Sequence, residues 1–317
     1  MKKKKSPALE IWRRFRKNPL ALVGLGILAV LFIVTALAWV GVISPEADGH
    51  PGYNQQRWGA EYRLQLPSRQ YIFGTDNLGR DIFARIAHGG RFSLSVGFAV
   101  VTLSMTLGVT LGSIAGFYSG VTDNIIMRFI DILLAIPGIL LAVAIVAALG
   151  PTLTNIMIAV GVNSVPAYAR QMRAQVVTYK DQEFVEAARS VGASDFRILR
   201  KHILPNSLAP IIVEASMGMA GAILSVAGLS FIGIGIQAPQ PEWGAMLSDG
   251  RNFILVEDAW HLTVFPGLAI ALIIFSLNLI GDGLRDALDP KLRSGGFSKK
   301  RFLKIMSARK EGSYGKA

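Results

Sequence analysis

The chain has 317 residues, of which 51% are hydrophobic and only 17% charged, and its mean hydropathy is +0.43; this balance excludes an ordinary water-soluble domain and makes lipid the first solvent to consider. A net charge of +12 raises nucleic acid as a partner, but the basic residues sit in blocks between and outside long apolar runs, as a topology signal requires, so no nucleic acid is expected. Cysteine is absent, which excludes disulfides, thiolate metal sites and a cysteine nucleophile.

The N-terminus is basic, with Lys2 to Lys5, Arg13, Arg14, Arg16 and Lys17, and Leu20 to Ile43 follow without a charge. Ala36-Leu37-Ala38 imitates a signal-peptide cleavage site. The apolar run is longer than the roughly 7 to 15 residues of a signal core, so a retained first span is expected. Membrane-length runs recur at about 92–117, 129–150, 152–169, 208–233 and 261–282, giving six predicted spans of an all-α membrane protein. With both termini in the cytoplasm, the inner segments carry eight Lys and Arg in 1–19, one in 118–128, seven in 170–207 and ten in 283–317. Together they hold 26 of the 33. Six of the remaining seven fall in the loop 44–91, against the usual bias of short outer loops. The sequence divides into 1–91 (first span and outer loop), a transmembrane core over 92–282 and a basic cytoplasmic tail, 283–317.

In the outer loop, Leu78, Ile82 and Ile86 lie four apart with Phe83 beside them, which predicts an amphipathic helix over 78–88, ended by Gly89-Gly90. It would lie in the membrane interface or dock another protein. Gly108, Gly112 and Gly116 place three side-chain-free positions on one face of the second span, a seam for close helix packing. Pro137, Pro151 and Pro166 predict kinks or helix starts in the third and fourth spans. The segment 170–207 reads as two short helices. Phe184, Val185, Ala188 and Val191 form an apolar stripe that Gly192 stops, and Ser194 caps a second helix through Phe196, Leu199 and Ile203 until Pro205 ends it. Glu186-Ala187-Ala188 combines a charge with two small side chains, suited either to an amphipathic loop or to seating in a groove of another protein.

Glu214, about seven residues into the fifth span, is a candidate for a polar pathway or for an interhelical partner; Asn155, Asn163 and Asn278 are weaker candidates of the same sort. Asp131 has Arg128 one turn away as its expected partner. Trp243 and Trp260 suit a membrane-water boundary. His50, His88, His202 and His261 lack metal-ligand spacing, so no metal is expected. No phosphate-binding Gly-x-x-x-x-Gly-Lys-Ser/Thr loop, Gly-x-Ser-x-Gly elbow or His-Glu-x-x-His helix occurs, so the chain is not expected to be an enzyme or to bind a cofactor. No internal repeat is evident, which removes the simplest pointer to an inverted-repeat secondary transporter.

Glu186-Ala187-Ala188, then Gly192 after three intervening residues, and Leu204-Pro205 resemble the EAA motif of importer-type ABC permeases, with His202 where the family usually has Ile. Phe73-Gly74-Thr75-Asp76, Gly79-Arg80-Asp81 and Gly90 to Leu94 are similar to the dipeptide, oligopeptide and nickel permeases. So are Leu229 to Pro239, Trp243-Gly244 and Gly281 to Pro290. Lys17-Asn18-Pro19-Leu20 fits the six-span, C-type branch. The resemblance implies a type I importer fold and a coupling role for Glu186, Ala187, Ala188, Gly192, Leu204 and Pro205 against a separate ATPase. It further implies a heterodimer with a sister permease, two ATPase subunits using ATP and Mg, an extracytoplasmic solute-binding protein, and a bacterial or archaeal cell membrane. The expected action is alternating access for peptides or similar small solutes. An ATP-independent transporter or channel, or a membrane anchor, is the alternative.

Overall fold

The computed structural model describes residues 7–44, 52–236, 239–256 and 258–289. Lys2 to Lys5, His50, Gln237, Ala238 and the basic tail from Pro290 lie outside them. The described residues are helical throughout, apart from loops and one isolated bridge between Thr75 and Asp81.

Helix α1 (Pro7–Phe15) turns into α2 (Pro19–Trp39) at Asn18, whose Oδ1 accepts hydrogen bonds from the Leu20 and Ala21 N–H groups at 3.1 and 3.2 Å. Pro19 lacks an N–H that the first turn would leave unsatisfied anyway, so Asn-Pro is a strong start signal. The Asn18 amide also donates to Asp286, and Phe15 packs with Ala21 and Ala287, so the junction is pinned to the end of the last helix.

Helix α3 (Ile82–Tyr118) has 37 residues, about 55 Å at 1.5 Å each, and therefore extends well beyond a bilayer core of roughly 30 Å. It passes through Gly89-Gly90 without a break, which corrects the expected short helix over 78–88. A Cβ on Gly89 would lie 2.0 Å from Pro241 O, and one on Gly90 2.1 Å from Thr35 Oγ1. These glycines admit neighbouring elements and do not stop the helix. Gly108, Gly112 and Gly116 form the expected seam. Their Cβ positions would strike Tyr168, Ala169 and Arg173 backbone or side-chain atoms of α6 within 2.9 Å.

The expected third span is two helices, α4 (Gly120–Ala135) and α5 (Gly138–Leu149), bent by 91° at Ile136-Pro137. Pro137 cannot continue the hydrogen-bond ladder, and Gly138 lets the Asn163 side chain approach the break. Helix α6 (Leu153–Lys180) runs through Pro166 and absorbs much of the segment expected as a loop. Helices α7 (Glu183–Ser190) and α8 (Asp195–Ile198) follow, and a π-helical turn, Leu199–Ile203, leads directly into α9 (Leu204–Phe231). Pro205 therefore does not end a helix. It occupies the first turn of α9, and the helical path from Asp195 to Phe231 is continuous because the π turn accommodates the missing donor. A short helix not foreseen from sequence, α10 (Trp243–Arg251), precedes α11 (His261–Leu288).

Four helical paths among the described residues are long and apolar enough to cross a membrane, namely α2, α3, the path ending in α9, and α11, or five if the bent α4–α5 pair is one span. Helix α6 is apolar only in its first part and carries Arg170, Arg173 and Lys180 in its second.

Candidate coupling element, transport cleft and outer clamp

The elbow between α6 and α9 has two faces. Val185, Ala188, Ile198 and Ile203 are buried in one cluster with Phe117 of α3, Tyr168, Met172 and Val176 of α6 and Ile211 of α9. Phe184, Val191 and Phe196 are exposed, by 84% for Val191 and 70% for Phe196, and Glu186 and Ala187 are exposed with them. The expected single stripe is thus split. Ala188 seats the elbow on its own spans.

Gly192 acts as foreseen. Its φ is +79°, its N–H donates to Arg189 O at 2.9 Å, and the Ala193 N–H donates to Ala188 O at 3.1 Å. This is a Schellman closure, in which a left-handed residue satisfies the last carbonyls of α7. A Cβ there would meet nothing, so glycine is required for backbone conformation alone. The Arg189 guanidinium lies over the Phe117 ring, 5.8 Å from its centroid, and Lys180 donates to Ser119 at 2.6 Å. Arg173 holds Asp123 of α4 with two hydrogen bonds, and Arg170 holds Asp131 at 2.6 Å. The observed partner of Asp131 is therefore on α6, not Arg128.

Beside the elbow, a cleft of about 540 Å³ opens between α6, α9 and α11. Glu214 lines it, half-buried, with Gln171 and Gln175 of α6, Asn206 of α9 and Arg285 of α11. Asn278 is exposed on α11 and is not among the lining residues, so the two intramembrane candidates are not brought together. Asn155 donates to Leu149 O and Gly150 O at 2.7 and 3.0 Å and closes the α5–α6 junction.

At the other end, the Gly74 to Asp81 motif is a clamp. The Thr75 hydroxyl donates to Tyr62 O at 2.7 Å and accepts from Gln65 N–H at 2.9 Å. Asp76 accepts from the Leu78 and Arg80 N–H groups and from Arg80 Nε, at 2.8, 2.9 and 2.6 Å. Gly74 and Gly79 have φ near +79° and +72°, and a Cβ on Gly74 would lie 2.3 Å from Gln65 O. Asp81 caps α3 through the Phe83 and Ala84 N–H groups. Arg80 reaches Asp249 of α10 at 3.9 Å, Arg85 donates to Asn54, and His261 of α11 lies 3.1 Å from Thr75 O. Thr75, Asp76 and Arg80 are buried, so they organise the loop ahead of α3 and are not themselves a docking surface. Burial raises the Asp81 carboxyl above its ordinary range against the pull of its capping donors, and raises Asp249 against Arg80 and Arg85.

Sequence reasoning missed Glu242, which is buried and caps α10 by accepting from Gly244 and Ala245 N–H at 2.9 and 2.8 Å. An acidic residue directly before Trp243-Gly244-Ala245-Met246 was the available signal. Trp243 is likewise buried rather than interfacial, donating Nε1–H to Ile86 O at 3.0 Å, whereas Trp260 stays half-exposed.

Comparison with known proteins joins these parts. Residues 108–294 match the family described as binding-protein-dependent transport system inner membrane component, and residues 6–66 match the N-terminal TM domain of oligopeptide transport permease C. The chain is 48% identical over 289 residues to the dipeptide transport system permease protein DppC of Alkalihalophilus pseudofirmus, covering 91% of each. It is 45% identical over 291 residues to the glutathione transport system permease protein GsiD of Pectobacterium atrosepticum, covering 92% of this chain and 93% of that one. Its fold is similar to a chain of the inward-facing MetNI methionine ABC transporter, with a TM-score of 0.53 at 17% identity, over 65% of this chain and 96% of that one. The chain belongs to the family of binding-protein-dependent transport system inner membrane components, the permeases of ABC importers.

Proposed function

We propose that this chain is one permease half of a peptide importer, and that its elbow carries the force of a separate ATPase into the spans. The observation that carries this reading is the two-faced elbow. One face shares a core with α3, α6 and α9, and the other leaves Phe184, Val191 and Phe196 uncovered beside Glu186 and Ala187. Exposed aromatic and aliphatic side chains grouped with small residues suit a groove on a second protein. Displacement of the covered face moves three spans together, because close-packed cores shift as units. Gly192, Leu204 and Pro205 shape the elbow and need not touch the partner.

In this reading α6 is a sixth span, both termini lie in the cytoplasm with the elbow, and the outer clamp faces a solute-binding protein. The basic blocks and the pinning of Asn18 to Asp286 support placing the N-terminal junction and the end of α11 on one side. A sister permease completes the pathway, and two ATPase subunits supply the ATP and Mg chemistry. Peptides are the proposed solutes, since the related DppC and GsiD permeases are named for a dipeptide and for glutathione, itself a small peptide.

Glu186→Arg and Ala187→Arg test the coupling role at exposed helical positions where folding is little affected. In cells, the double variant should insert normally, lose the co-purifying ATPase and lose uptake by at least about tenfold. A variant that retains ATPase and uptake removes the elbow from the coupling path.

A further inference from the structure

The cleft beside the elbow is lined by Glu214 on α9 and by Arg285 on α11, with Asp289 at the rim just past the end of α11. Gly281 of α11 abuts Ser216 and Met217 of α9, with Ser216 Oγ 2.9 Å from its Cβ position. The two helices run in opposite directions here, so four residues further along α11, about 6 Å, brings Arg285 level with Val213. Glu214 and Arg285 therefore lie at similar depth, one on each wall. Among the described residues neither charged group has a hydrogen-bond or ion-pair partner. The Tyr168 hydroxyl, buried and without a hydrogen bond, lies against Gly218 one turn from Glu214 and within electrostatic reach of it.

We infer that this cleft is a binding subsite for a short zwitterionic peptide, with Glu214 receiving the α-ammonium and Arg285 the α-carboxylate. The inference rests on the permease reading and adds the ligand's charge pattern to it. A volume of about 540 Å³ lies within the roughly 300–1,000 Å³ of small-ligand sites. Gln171, Gln175 and Asn206 provide donors and acceptors for the peptide bond without selecting side chains. The guanidinium fork matches a carboxylate, and both terminal contacts are charge-assisted.

The test uses the chain purified with its associated subunits and no binding protein. Binding of radiolabelled L-alanyl-L-alanine is measured with N-acetyl-L-alanyl-L-alanine and L-alanyl-L-alaninamide as competitors. The wild type should bind the label and prefer the free dipeptide over each blocked one by at least about tenfold, the scale of one charge-assisted contact. Glu214→Gln should lose discrimination against the acetylated peptide only, and Arg285→Gln discrimination against the amide only. This reciprocal pattern is not produced by general unfolding. Equal competition by all three peptides at the wild type, or unchanged discrimination in Glu214→Gln, overturns the subsite. Absence of dipeptide binding while the ATPase co-purifies also overturns it and leaves the permease reading intact; absence of the ATPase from the wild type strikes the permease reading itself.

Discussion

At single residues, the same amino acid serves different physical ends, and the distinction decides what a substitution does. Gly112 is required for space, since a Cβ would lie 2.3 Å from the Ala169 carbonyl oxygen, a backbone atom that cannot rotate away. Gly112→Val should force α3 from α6, with the 1–3 kcal/mol or more typical of overpacking, read as a lower melting temperature in detergent. Gly192 is required for its positive φ, so Gly192→Ala should cost about 1–2 kcal/mol locally and leave the α3–α6 seam untouched. Glu242 titrates from a buried cap. Burial raises its carboxyl above the ordinary 4.5, with the Gly244 and Ala245 donors opposing. The folded state therefore binds this proton more tightly than the unfolded one. Its contribution to stability is full below 4.5 and is lost as pH rises through the higher folded value. Glu242→Gln removes that titration, and its stability should fall less than that of the wild type as pH is raised from 4.5; an unchanged slope would assign the dependence to Asp81 and Asp249, raised for the same reason.

At the scale of elements, the elbow shows what sequence could and could not tell. The glycine stop of α7 was legible because a single left-handed residue fixes a Schellman closure locally. The family motif marked the elbow, but neither spacing nor motif revealed that Ala188 points into its own core while Val191 points out, since a helix alone does not say what covers each face. Pro205 was misread because a proline forbids a helix interior yet favours a first turn, and a π turn supplied that new start. Gly89-Gly90 was misread for a related reason. The signal for stopping a helix and the signal for letting another element approach are the same residue. The packing of the elbow makes a prediction of its own. Ile203→Ala removes a fully buried side chain between the π turn and α6, at about 2–4 kcal/mol if the cavity does not collapse. In proteoliposomes the complex should still hydrolyse ATP while solute uptake per ATP falls several-fold. A proportional loss of both activities would show that the cluster holds the elbow in place and does not transmit its motion.

For the whole molecule, the proposed pairing with a sister permease requires a face on which that sister would sit. Helix α9 packs against α3, α6 and α11, yet among the described residues Gly221 and Gly228 on its remaining face have nothing within 4 Å of where a Cβ would stand, and Leu224 between them is 55% exposed. A glycine inside a helix costs roughly 0.5–1 kcal/mol relative to alanine, and no neighbour among the described residues compensates for it here. Within a bilayer, where lipid tails are as apolar as leucine, helices associate through small residues that let backbones meet. The same face continues toward Glu214, two turns nearer the elbow, so a sister helix seated there would also close the cleft. Gly221→Leu with Gly228→Leu should therefore leave the isolated chain folded, or slightly more stable, while reducing recovery of the sister permease in pull-down by at least about tenfold. If instead the double variant retains its sister permease and uptake, α9 faces lipid, and the two halves must meet through α5 and the outward face of α3.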